Sequence, residues 1–288
     1  MMKQIFQECL FLSVLLSFFI LPKTTVYAEN TKNTENTEKT ENPIYKVQES
    51  VDYKLRGGIT HTFEKLNAGK TVNVAYLGGS ITAANGWRPK TTAWLQKNWP
   101  DAEIHEIHAA ISGTGSYLGL FRLQRDVLHF KPDLLFVEFA VNDGGTPPET
   151  EWRQIESIIR QTWLANPETD IIFVYTFCVG FTGRIQSGKL PQSAGAMEML
   201  ADYYGIPSVN FMKRVVEMES AGKLAFTPTL GEKFHANGKL PESVILWSQD
   251  GTHPLDAGHE LYLQDIQQAF AEMEKMSTPT VMGGETIG

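Results

Sequence analysis

The chain has 288 residues, 42% of them hydrophobic, enough to bury one sizeable core. Its formal net charge is −8 and its pI about 5.4, with no basic stripe, which argues against a nucleic-acid partner. Two cysteines, Cys9 and Cys178, are too few for a disulfide framework.

The amino-terminal stretch has the layout of a secretory signal. Lys3 lies in the first seven residues, Leu10 to Leu21 is a mostly apolar run closed by Pro22 and Lys23, and Val26-Tyr27-Ala28 offers a cleavage site. The run is shorter than the roughly 20 residues a spanning helix needs, so residues 1–28 are read as a signal cut after Ala28. That reading makes the protein secreted or part of the cell envelope, with no stable membrane span. It also leaves Cys178 as the only thiol, placed at the end of an apolar run as a small buried hydrophobe. Residues 29–44 are polar and repetitive in Asn, Thr and Glu, and are expected to form a disordered linker. The folded domain is expected over 45–277, followed by a flexible tail over 278–288.

Within the domain, strand and helix patterns alternate. Ile59 to Asn67 has helical spacing, and Thr71 to Leu77 reads as a strand. Pro89 to Trp99 is helical, Ala102 to Ala109 a strand, and Tyr117 to Phe130 a helix. Asp133 to Val141 and Asp170 to Cys178 are apolar runs of buried-strand type, separated by a helix over Glu149 to Ala165. Helices over Pro191 to Tyr204, Phe211 to Ser220 and Leu255 to Lys275 complete the set, with a short strand at Ile206 to Phe211. Five strands alternating with helices predict one doubly wound α/β domain on a five-stranded parallel sheet. Pro43 to Arg56 reads as an extended lead-in. Two loop-rich insertions, Gly180 to Lys189 and Leu224 to Leu246, are candidate substrate walls.

Four short blocks fall after predicted strands or ahead of the last helix. They are Gly79-Ser80-Ile81-Thr82, Ile111 to Gly115, Val141 to Gly144, and Asp250-Gly251-Thr252-His253-Pro254. In a parallel sheet these positions converge on the carboxyl edge, where ligands bind. A serine hydroxyl there is a weak nucleophile until a base takes its proton. His253 is the candidate base, and Asp250, three residues earlier, can hold the imidazole in one tautomer. The backbone N–H groups of Ser80 and Gly113 and the Asn142 amide are candidate oxyanion donors. Asp143 is expected to cap the next helix or brace its loop, and Glu138 to be a buried hydrogen-bonding group. Gly79, Trp87 and Arg88 are candidate pocket residues, Trp87 and Arg88 alternatively a packing pair at a helix start. The remaining histidines show no metal-binding spacing.

The set Ser80, Gly113, Asn142 and His253, in that order across Val72 to His253, resembles the SGNH or GDSL-type hydrolase superfamily. The resemblance implies a flavodoxin-like three-layer α/β/α fold, ester hydrolysis through an acyl-enzyme, and a site without metal or cofactor. Two positions depart from the family pattern. Gly79 stands where its name motif has Asp, and Ala140 where the third block usually has Gly. The expected activity is an exported serine esterase that removes O-acyl groups, acetyl above all, from carbohydrate. The alternatives are a lipase, lysophospholipase or thioesterase, a glycan O-acetyltransferase on the same residues, and a non-catalytic glycan-binding protein. The sequence leaves the oligomeric state open.

Overall fold

The apolar runs become the parallel strands of one sheet because their side chains are buried on both faces. The computed structural model describes residues 44–236 and 238–277; the expected signal, most of the expected linker, and the tail lie outside the described residues. In chain order the elements are β1 (Tyr53–Lys54), α1 (Thr60–Asn67), β2 (Thr71–Gly78), α2 (Ser80–Ala83), α3 (Trp87–Asn98), β3 (Glu103–Ala110), α4 (Ser116–Asp126), β4 (Leu134–Glu138), α5 (Pro148–Ala165), β5 (Asp170–Tyr175), α6 (Thr182–Gln186), α7 (Gln192–Tyr204), β6 (Ser208–Asn210), α8 (Phe211–Ser220), β7 (Leu224–Ala225), β8 (Ile245–Leu246) and α9 (Asp256–Ser277).

Among the described residues the main sheet has six strands in the order β1-β6-β5-β4-β2-β3. Five are parallel, as expected, and β1 adds an antiparallel edge, pairing Tyr53 with Val209 and Lys54 with Ser208. The extended lead-in thus supplies a sixth strand, too short to carry a periodic signal. Beyond β1, Arg56 sits at φ 43°, in the left-handed region. Its guanidinium holds that turn by donating to Ile206 O (2.8 Å) and Ser208 Oγ (2.9 Å) and by pairing with Glu198.

Helices cover both faces, giving three α/β/α layers. α1, α3, α8 and α9 pack together on one side, and α4, α5 and α7 on the other. Stacked aromatic rings tie sheet to helices: Tyr76 lies on Phe136 at 5.0 Å, and the edge of Trp87 meets Phe136 at 5.7 Å. The β4 and β5 ladders stop before their apolar runs do, so Phe139 to Val141 and Thr176 to Cys178 leave the sheet as loops. The second insertion forms a small two-stranded parallel sheet, Leu224 with Ile245 and Ala225 with Leu246.

Glu151, in the first turn of α5, is fully buried, and neither carboxylate oxygen has a hydrogen-bond partner among the described residues. Burial, reinforced by the nearby Asp143, pushes its pKa up to about 10. The folded chain therefore keeps this proton where the unfolded chain, near pKa 4.3, has released it. That contribution is fully present below the unfolded pKa and is lost as pH rises toward the folded one. Glu151→Gln is expected to melt several degrees above the wild type at pH 8.5 and together with it at pH 4; thermal unfolding at the two pH values checks this.

Candidate active site

The strand order reverses around β2, which lies between β3 and β4. Segments leaving β2 and β4 therefore flank a topological switch point, the usual ligand crevice of such sheets. Ser80 leaves β2 as the first residue of the short helix α2, and Asn142 lies four residues beyond the end of β4.

Two glycines make the exit from β2 possible. A Cβ on Gly78 would lie 2.9 Å from Glu138 O and 2.9 Å from Thr82 Cβ. A Cβ on Gly79 would collide with the Asn142 amide, which lies against it. The family motif's Asp is thus missing from a position that the Asn142 side chain covers in this chain. Below the turn, Glu138 is fully buried and accepts from Thr82 Oγ1 (2.8 Å), Thr176 Oγ1 (2.7 Å) and the backbone N–H of Gly79. Burial pushes its carboxyl up, and these three donors oppose the shift. As expected from the sequence, Glu138 is a hydrogen-bonding brace.

The second block is held from two sides. Ile111 N–H donates to Gly78 O (3.0 Å), and Gly113 turns at φ 72° on the exposed loop. Asp143 of the third block reaches across to accept from Ser116 N–H at 3.2 Å, capping α4 at its amino end. Gly115 leaves the room for that carboxylate. Asp143 therefore caps a helix earlier in the chain rather than the one that follows it. Ala140, small enough to be fully buried, accepts from Ser193 Oγ (2.6 Å).

The fourth block folds on itself. Asp250 Oδ1 accepts from Thr252 N–H (2.8 Å), His253 N–H (2.9 Å) and Ser248 Oγ (3.0 Å). Asp250 Oδ2 lies 2.6 Å from His253 Nδ1. Burial pushes the Asp250 carboxyl up, but the His253 backbone and ring, the Thr252 N–H and the Ser248 hydroxyl outweigh it. The group ends well below the usual carboxylate range. An ionised carboxylate only accepts, so Nδ1 carries the proton toward it and Nε2 is left as an acceptor. His253 Nε2 lies 2.8 Å from Ser80 Oγ. The hydroxyl, the imidazole and the carboxylate thus form one hydrogen-bonded line, able to move a proton off the hydroxyl. Ser248 escaped the sequence reading; only its place two residues before Asp250, in a turn with Gly251 at φ 81°, hinted at it.

Two expected pocket residues are elsewhere. Trp87 is fully buried against Tyr76, Phe136 and Phe211. Arg88 is buried too, donating to Thr82 O (3.1 Å) and paired with Glu106. The helix-start packing pair is the correct reading, because α3 turns both side chains inward. His259 is also buried, its ring seated over Gly86, and burial lowers its pKa to about 4. Among the described residues no His, Cys, Asp and Glu group is arranged to hold a metal ion, and no helix is long and apolar enough to cross a membrane.

The close fit of Gly79 under Asn142 gives a direct test. In Gly79→Ala the new methyl displaces the amide, and kcat on p-nitrophenyl acetate is expected to fall about tenfold or more while the melting temperature holds. Equal kcat would mean that the amide's position is irrelevant.

The model of the GDSL-like Lipase/Acylhydrolase family matches residues 76–261, well over half of the chain. No match is found among curated proteins. Similar solved structures include a two-domain esterase active on acetylated mannans, with 24% identity and a TM-score of 0.59. The alignment covers 75% of this chain and 53% of that one, so this chain spans about half of that esterase. A variant of an acetyl xylan esterase from Geobacillus stearothermophilus has 16% identity and a TM-score of 0.53, covering 69% of this chain and 94% of that one. At these identities the structures speak for the fold, and the family match for the family. The chain belongs to the GDSL-like lipase/acylhydrolase family.

Proposed function

We propose that the protein is an exported serine esterase that removes acyl groups, acetyl above all, from carbohydrate, with Ser80, His253 and Asp250 as its triad. The observation that carries this reading is the unbroken line from Ser80 Oγ through His253 to Asp250, at 2.8 and 2.6 Å. His253 Nε2 takes the hydroxyl proton as Ser80 Oγ bonds to the ester carbonyl carbon. The N–H groups of Ser80 and Gly113 and the Asn142 amide receive the developing oxyanion. Collapse expels the sugar alkoxide, which takes the proton from His253 and leaves the acyl group on Ser80. Water then attacks the acyl-enzyme with His253 as base, releasing the acid and restoring the serine.

One feature of the site favours carbohydrate over a long-chain lipid. The His253 and Asp250 side chains are 48% and 55% exposed, which suits a bulky polymer approaching an open edge rather than an acyl chain entering an enclosed channel. The folds named above also include esterases acting on acetylated mannan and xylan.

An acetate-release screen on acetylated xylan and acetylated mannan tests the reading. Release is expected from at least one, with none from Ser80→Ala. Turnover restricted to long-chain p-nitrophenyl esters would overturn the carbohydrate assignment. Fluorophosphonate labelling should vanish in Ser80→Ala; labelling that survives would remove Ser80 from its role. Asn142→Ala is expected to lower kcat by about 100- to 1,000-fold, as loss of one oxyanion donor does.

A further inference from the structure

The two insertions singled out in the sequence meet in a cavity of about 390 Å³, within the roughly 300–1,000 Å³ range of small-molecule sites. Val179 and Gln186 line it from the segment after β5, and Phe226, Leu230 and Lys233 from the segment after β7. Glu219 of α8 completes the wall and pairs with Lys233. The cavity is joined to the fourth block. Val179 N–H donates to Gly251 O at 2.8 Å, and a Cβ on Gly251 would lie 2.9 Å from Val179 Cγ2. Gly251 stands between Asp250 and His253, so Val179 joins the cavity wall to the fourth block.

We propose that this cavity is a subsite for a sugar residue neighbouring the acylated one in the substrate chain. The proposal rests on the carbohydrate-esterase reading above. An acyl chain would strip water from the Glu219–Lys233 pair and the Gln186 amide and return no hydrogen bonds. A sugar ring returns them: its hydroxyls donate to Glu219 and accept from Lys233 and Gln186, while its C–H face lies against Phe226, Val179 and Leu230. The cavity's mixture of one ion pair, one amide, the Thr182 hydroxyl and three apolar side chains matches that two-faced ligand. Neither a free carboxylate nor a lipid tail uses both halves.

The test compares wild type, Gln186→Ala and Leu230→Trp on three substrates: p-nitrophenyl acetate, an acetylated monosaccharide, and an acetylated tetrasaccharide of the same sugar. It is run for xylose and for mannose. Gln186 and Leu230 are both solvent-exposed, so neither change disturbs the core. Wild type is expected to favour the tetrasaccharide over the monosaccharide in one series by about tenfold in kcat/KM, the scale of one added contact. Both variants should lose that preference through KM and stay within about twofold of wild type on p-nitrophenyl acetate, since the contact serves binding alone. If the preference persists in both variants, the subsite is wrong and the carbohydrate reading stands. A wild type with no preference for the longer chain overturns the subsite as well, and so does an equal loss on all three substrates. Turnover of p-nitrophenyl acetate with no acetylated sugar accepted would bring down the carbohydrate reading and the subsite together.

Discussion

A carboxylate with no access to water holds the carboxyl edge of this sheet together. Glu138 ends β4 directly below the turn that presents Ser80, and a buried carboxylate must be satisfied by hydrogen bonds or neutralised. Thr82 from α2, Thr176 from the end of β5 and the Gly79 N–H satisfy it. Two neighbouring segments, the β2 exit with α2 and the β5 exit, are therefore tied to one residue. The tie works by exclusion, because any shift of α2 or of the β5 exit leaves a donor or the acid without a partner. Asp143 repeats the device between blocks two and three, capping α4 from the loop that carries Asn142.

The fourth block obeys a different logic. His253 and its carboxylate are three residues apart, joined by ring, backbone and Ser248 contacts within one turn. That half of the machinery is local and is built by the turn itself. Only the 2.8 Å contact with Ser80, 173 positions away in the chain, depends on how the segment ahead of α9 docks onto the sheet. The Gly251 carbonyl, held by Val179, is one of the pins of that docking. The geometry of the Ser80–His253 contact thus depends in part on that docking.

What the sequence made legible was whatever chemistry is local. Each block announced itself because a glycine, a serine or an Asp-x-x-His spacing has meaning within five residues. The buried strands were legible as apolar runs, but their ends were not, since Phe139 and Phe177 stay buried after the ladder stops. The strand β1 escaped because two residues hold no period. Trp87 and Arg88 stayed open between pocket and packing roles because nearness to Ser80 in the chain says nothing about which way a helix turns its side chains. Asp143 was expected to serve its own neighbourhood, whereas its partner lies 27 residues earlier. The cavity was half legible: both insertions stood out as loops, and only folding brings their side chains together.

The two borders of the sheet carry a last consequence. At one side β1 covers β6 with a short antiparallel pair whose continuation is pinned by the Arg56 guanidinium. At the other, β3 stands uncovered but carries Glu103, His105 and Glu106, partly or wholly exposed, with Glu106 taken up by Arg88. Charged and capped borders are poor templates for a foreign strand. For a chain with a core this rich in continuous apolar runs, such borders make ladder-to-ladder polymerisation between copies unfavourable.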